Sequence, residues 1–144
     1  MVEKITVSEG EFAGWQTYDL HGTFDQVVGP FYFKPDADGQ MRCAFRAEPK
    51  HMNAGGRMHG GCLMTFADIA LFQTAYQEME GKSGVTVQLD STFIDGAHVG
   101  ELVEATGEVV RAGGSLIFVR GQIRTGDRTL MTFSGVIKKF TPRA

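Results

Sequence analysis

Residues 53–72 read NAGGRMHGGCLMTFADIALF. A glycine-rich loop runs into an apolar stretch, and one carboxylate, Asp68, sits in the middle of it. Cys62, Leu63, Met64, Phe66, Ile69, Ala70, Leu71, Phe72, Ala75 and Tyr76 cover nearly every direction around a helix axis. A helix apolar all round is buried all round. The spacing predicts one long helix from about residue 60 to 80, enclosed by a sheet on one side and a second subunit on the other. Burying a charge is costly unless it is paired, hydrogen-bonded or neutralised. Met64, Thr65, Leu71 and Phe72, one turn away on either side of Asp68, include no base. A positioned acid in such a setting suits general-base work.

The segments around this helix are β-rich. FYFK (31–34) and MRCAFRAEP (41–49), separated by the turn signal PDADGQ, precede it. VTVQLDSTFI, ELVEATGEVVRA, SLIFVRGQIR and TLMTFSGVIKKF come after it, divided by DGAHVG, GG and TGD. The expected fold class is α+β, with a curved antiparallel β-sheet around one central helix. TFDQVVG (23–29) reads as a short helix ending before Pro30. A single domain over 1–144 is expected, with 1–29 as an N-terminal segment that forms a lid or this short helix.

The 144 residues suit one hydrophobic core, and 42% hydrophobic with 22% charged residues is ordinary for a globular chain. A net charge of -3, with no Lys/Arg cluster, argues against nucleic acid. Lys138 and Lys139 read as a solvated strand end. The apolar run is too short and too polar to span a bilayer, and the N-terminus lacks a signal-peptide core, so the expected location is the cytoplasm. Cys43 and Cys62 make neither a metal spacing nor a disulfide framework. Cys62, with no base beside it, reads as a small hydrophobe rather than a nucleophile.

Gly55, Gly56, Gly60 and Gly61 permit close approach of a ligand to the backbone at the start of the helix. Unpaired N–H groups there favour a carboxylate, a phosphate or a developing oxyanion. The pattern is neither GxxxxGK[ST] nor GxGxxG, which excludes the common nucleotide loops. Asp68 lies eight residues beyond Gly60, about 12 Å along one helix. A base and an oxyanion donor acting on one carbonyl must each come within about 3 Å of their target atoms. Two antiparallel helices in a symmetric dimer meet that requirement, giving two equivalent sites.

The pattern Asn53-x-x-Gly56-x-x-His59-Gly60-Gly61, with Asp68 nine residues after His59, resembles the signature of hotdog-fold acyl-CoA thioesterases. It is most similar to the PaaI-like (phenylacetic acid degradation type) branch of the 4-hydroxybenzoyl-CoA thioesterase superfamily, over about residues 28–140. The resemblance implies a hotdog fold and hydrolysis of an acyl- or aryl-CoA thioester. In its terms Asp68 is the catalytic acid, acting as base on water or as nucleophile, and the Gly60 N–H is the oxyanion donor. Asn53 positions water or substrate, and His59, counted with the catalytic residues, fixes the loop and contacts the thioester region. Thr86 takes the place of a Ser/Thr that orients the water. Strand alternation places Thr86 instead with Gln88, Asp90 and Thr92 on a polar face. Gly61, Arg57, Met64 and Phe72 are the expected substrate-binding residues, Arg57 towards the phosphates of coenzyme A. Arg111, Arg120, Arg124 and Lys138 are further cations, and Gly113 belongs either to a pantetheine channel or to a plain hairpin turn. No metal or cofactor is implied, coenzyme A being part of the substrate. A homodimer, paired into a tetramer, is implied as the partner state. Two other readings use the same residues: a hotdog enoyl-CoA hydratase or dehydratase, and a non-catalytic acyl-CoA-binding module.

Overall fold

The computed structural model describes residues 3–143. Eight strands form one antiparallel sheet: β1 (Lys4–Thr6), β2 (Gln16–Tyr18), β3 (Tyr32–Pro35), β4 (Met41–Arg46), β5 (Ser83–Phe93), β6 (Leu102–Ala112), β7 (Leu116–Thr125) and β8 (Arg128–Phe140). Their order across the sheet is β1-β2-β3-β4-β6-β7-β8-β5. A short helix α1 (Phe24–Val28) precedes β3, and the long helix α2 (Gly60–Thr74) lies between β4 and β5. This is the α+β, helix-in-a-sheet architecture of the hotdog fold.

The six strands read from the sequence are present, and the N-terminal segment adds two more, β1 and β2. These are only three residues each and carry little alternation of their own. Pairing with β3 makes them strands. The short helix stands where TFDQVVG predicts it, with the Thr23 side chain accepting from the Gln26 N–H as N-cap.

The long helix stops earlier than expected. It ends at Thr74, and Tyr76–Met79 forms a 3-10 turn closed by Glu80 at φ 53°. Lys139 is the second correction: it is buried, not solvated. Its Nζ donates to the Glu78 carbonyl at 3.1 Å and faces Glu80 at 3.6 Å, so it caps that turn.

Helix α2 buries Cys62, Leu63, Phe66, Ala67, Ala70, Leu71 and Gln73 against the sheet. Phe66 packs on Phe31 and Phe45 with centroids 5.5 and 4.8 Å apart. The sheet approaches the helix closely because side chains are missing beneath it. A Cβ on Gly135 would lie 2.5 Å from Leu71, and one on Gly107 2.9 Å from Thr74. The opposite stripe of Met64, Thr65, Asp68, Ile69 and Phe72 is only half-buried. Within one chain the helix is therefore not enclosed on all sides, and Asp68 lies on the open side.

Candidate active site

The loop before α2 is built by its own residues. Asn53 Oδ1 accepts from the Gly55 and Arg57 N–H groups at 2.9 and 3.2 Å, while its backbone N–H donates to the Arg57 carbonyl at 2.7 Å. This is an Asx turn, which occupies the side-chain carbonyl of Asn53 and leaves its amide NH2 as the outward donor. Gly56, at φ 80°, takes the left-handed turn position.

His59 is the N-cap of α2. Its Nδ1 accepts from the Gly61 N–H at 2.8 Å and its carbonyl accepts from the Cys62 N–H at 2.9 Å. A cap of this kind requires a bare lone pair on Nδ1. Of the first three N–H groups of the helix, His59 takes two. The Gly60 N–H is left with no acceptor among the described residues. It is the donor that the helix offers to an incoming oxygen. The neighbouring His51 is structural: Nδ1 accepts from the Glu48 N–H at 2.9 Å, and Nε2 donates to the Val28 carbonyl at 2.6 Å.

Thr86 corrects the reading from strand alternation. Its Oγ1–H donates to Asp68 Oδ1 at 2.6 Å. The register of β5 against β8 slips between Thr86 and Gln88, a bulge at Val87. A bulge inserts one residue and reverses the facing of the residues beyond it. Thr86 consequently does not share a face with Gln88, Asp90 and Thr92. It faces α2 together with Ser91, which reaches Met64 Sδ at 2.8 Å, and Phe93, whose ring lies 3.2 Å from the site of a Cβ on Gly60. Strand β5 thus runs antiparallel along the helix, with Thr86 beside Asp68 and Phe93 beside Gly60.

Asp68 opens into a cavity of about 560 Å³ between α2 and the N-terminal segment. Thr65, Asp68, Ile69, Phe72 and Gln73 of the helix form one wall. Tyr18, Phe24, Asp25, Phe31 and Phe33 contribute the other. The Asp25 carboxyl is held above its ordinary range, first by burial and then by the negative charge of Asp68. Of the expected substrate-binding residues, Phe72 lines this cavity. Met64 lies along β5 instead, and Gly61 and Arg57 stay with the loop. Tyr18, Asp25 and Gln73 were not picked out from the sequence. The available signal was Gln73, a second polar residue inside the apolar run, five residues after Asp68.

Residues 55–132, more than half of the chain, match the family model of the thioesterase superfamily. The chain belongs to that superfamily. With it, the chain is a thioester hydrolase. It is 35% identical to the Pseudomonas aeruginosa protein PA0474, over 76% of this chain and 83% of that protein. Human acyl-coenzyme A thioesterase 13 is 30% identical over 66% of this chain and 68% of its own length. Among solved structures, the Escherichia coli PaaI protein from the phenylacetic acid degradation operon superposes with a TM-score of 0.71 at 19% identity, covering 81% of this chain and 83% of that one. The Streptococcus mutans protein smu.793, solved bound to acetyl CoA, does so with a TM-score of 0.72 at 18% identity, covering 88% and 99%. These two share the fold.

In this thioesterase Cys62 is no rival to the carboxylate, because burial pushes its thiol up to about 11. The stem of Arg57 packs on Gly96, and its guanidinium has no ion pair among the described residues. Arg120 is engaged by Glu108 at 2.5 Å, and Arg124 by the Asp127 carbonyl at 3.2 Å. Gly113 donates to the Leu116 carbonyl at 2.8 Å, closing the hairpin between β6 and β7. Among the described residues no three His, Cys, Asp or Glu side chains gather as a metal set, and no helix is long and apolar enough to cross a membrane.

Proposed function

We propose that the protein is a cytoplasmic acyl-CoA thioesterase, hydrolysing an acyl- or aryl-CoA to the free acid and coenzyme A, with Asp68 as general base. The observation that carries this reading is the Thr86–Asp68 hydrogen bond on the wall of the cavity beside α2. Thr86 holds Oδ1, and Oδ2 has no partner among the described residues, so it is the oxygen that can take a proton from water. That water attacks the thioester carbon, its proton passes to Asp68, and the carbonyl oxygen becomes an oxyanion stabilised by the Gly60 N–H. Collapse of the tetrahedral intermediate breaks the C–S bond. The departing thiolate takes the proton that Asp68 accepted, which returns Asp68 to its ionised form, and the acid leaves.

Asp68 and Gly60 stand about 12 Å apart along α2, too far for one carbonyl. The proposed assembly is a homodimer with two antiparallel α2 helices, pairing Asp68 and Thr86 of one chain with Gly60, Asn53 and His59 of the other. The half-buried stripe of Met64, Asp68, Ile69 and Phe72 supports this contact. Asn53 offers its free NH2 to water or substrate, and His59 keeps the Gly60 N–H free by capping its neighbours. Arg57 stands as the cation for a phosphate of coenzyme A. The human relative, named an acyl-coenzyme A thioesterase, supports the substrate class.

The test is release of free thiol from short, medium, long and aryl acyl-CoAs by the wild type and Asp68→Asn. The wild type is expected to turn over at least one class, and the variant to lose that turnover while still binding acyl-CoA. Binding without thiol release by the wild type would mark a non-catalytic module and overturn the reading.

A further inference from the structure

Gly60 carries the N–H at the start of α2 that has no acceptor among the described residues, and its backbone does not explain why it is glycine. It does not take the left-handed φ of Gly56, and a helix start admits any residue. What bars a side chain is an aromatic ring. A Cβ on Gly60 would meet Phe93 Cε1 at 3.2 Å and Cζ at 3.4 Å. A ring delivered by a distant strand thus fills the space that a side chain of the donor residue would take.

Phe93 is firmly anchored while its ring stays half open. It ends β5 in register with Met131 of β8. The next two N–H groups, of Ile94 and Asp95, both donate to the Leu130 carbonyl, at 2.8 and 3.2 Å. Asp95 is paired in turn with Arg128 at 3.1 Å. Phe93 is nevertheless 54% exposed. Its ring has no lone-pair acceptor, so it cannot claim the Gly60 N–H for itself. It can only keep water from one side of that donor.

We infer that Phe93 is a positioning residue for the hydrolysis: its ring walls the Gly60 N–H, so that a bound thioester carbonyl meets that donor with water excluded. This rests on the thioesterase reading of Asp68 and Gly60. A fixed donor is worth far more to a developing oxyanion in a dry site than in a wet one. The substrate completes the closure by covering the exposed part of the ring with its own carbon chain. In the proposed dimer Phe93 travels with Gly60, Asn53 and His59, opposite Asp68 and Thr86 of the other chain. The oxyanion half of each site then has an apolar wall, and the base half has the Thr86 hydroxyl.

The experiment measures thiol release, with kcat and KM separated, for wild type, Phe93→Tyr, Phe93→Ala, Gly60→Ala and the double variant Gly60→Ala/Phe93→Ala. Phe93→Ala is expected to lower kcat roughly ten-fold, less than the roughly hundred-fold lost when a whole donor is removed. KM should stay nearly unchanged, as for an interaction made in the transition state. Phe93→Tyr should keep most of the rate. Gly60→Ala should also lose rate, because its methyl displaces the ring. The double variant should be no slower than the slower single one, since both changes remove the same wall. An unchanged kcat in Phe93→Ala, a loss confined to KM, or multiplied losses in the double variant would overturn the inference. If the wild type releases no thiol, the thioesterase reading fails separately, and amide hydrogen exchange at Gly60 decides the wall. Faster exchange at Gly60 in Phe93→Ala, with Gly61 and Cys62 unchanged, sustains it, and the same rate in both proteins refutes it.

Discussion

Thr86 donates its hydroxyl hydrogen to Asp68 Oδ1 across 2.6 Å, joining the edge strand to the middle of the central helix. The bond fixes one carboxylate oxygen and aims the other. Thr86→Val keeps the shape and deletes the donor. A hydrogen bond to a charged group is worth about 1.5–3 kcal/mol, so kcat should fall roughly ten- to a hundred-fold. Thr86→Ser should retain most of the rate. Thiol-release kinetics on both variants, with unfolding midpoints to show an intact fold, check this.

His59 caps α2 through Nδ1, and the cap is what leaves the Gly60 N–H unclaimed. His59→Ala should lower stability by about 1 kcal/mol, whereas His59→Asn, a good N-cap, should lose much less. If His59 acted in the chemistry, both variants would lose activity alike. Urea unfolding and turnover measured on the same two variants separate the roles.

The sheet closes on the helix only because Gly135 has no side chain. In Gly135→Ala the new Cβ would meet Leu71 Cδ1 at 2.5 Å and the Gln88 carbonyl at 2.9 Å. Leucine can turn aside but the backbone oxygen cannot, so overpacking should destabilise by about 1–3 kcal/mol. The urea midpoint should move with little change in the slope.

Asp25 gives a stability prediction with a definite sign. Its folded carboxyl titrates above the ordinary 3.8 because of burial and the nearby Asp68 charge. A raised folded value means that the ionised form weighs against folding. Asp25→Asn should therefore raise the melting temperature at neutral pH. The gain should shrink as pH falls through the folded value and vanish below 3.8, where both states of the wild type are protonated. A gain that grew on acidification would contradict the assignment.

The central helix, its carboxylate and the flanking strands were legible in residues 53–72 and in the spacing of turn signals after them. Hydrophobic periodicity carries that information directly. What escaped was set by contacts. The bulge at Val87 has no signal in VTVQLDSTFI, yet it turns Thr86 towards Asp68. The strands β1 and β2 are too short to announce themselves and exist by pairing. Lys139 looked solvated because its partner, the Glu78 carbonyl, belongs to a 3-10 turn far away in sequence. The N-terminal segment was expected as a lid, but the places of Tyr18 and Asp25 in the cavity wall were hidden for the same reason, since only the fold brings them over α2.

The measurement that bears most directly on a site shared by two chains is complementation between Asp68→Asn and Gly60→Pro. Proline at the first helical position removes the N–H and suits the helix start. His59, at φ -61° and ψ 134°, already has the backbone that precedes proline. Each variant alone should be inactive. Refolded together in equal amounts, half the dimers should be mixed and each should hold one intact site, restoring roughly a quarter of wild-type thiol release. A mixture no more active than its two parents, with mixed dimers shown to form, would contradict the account.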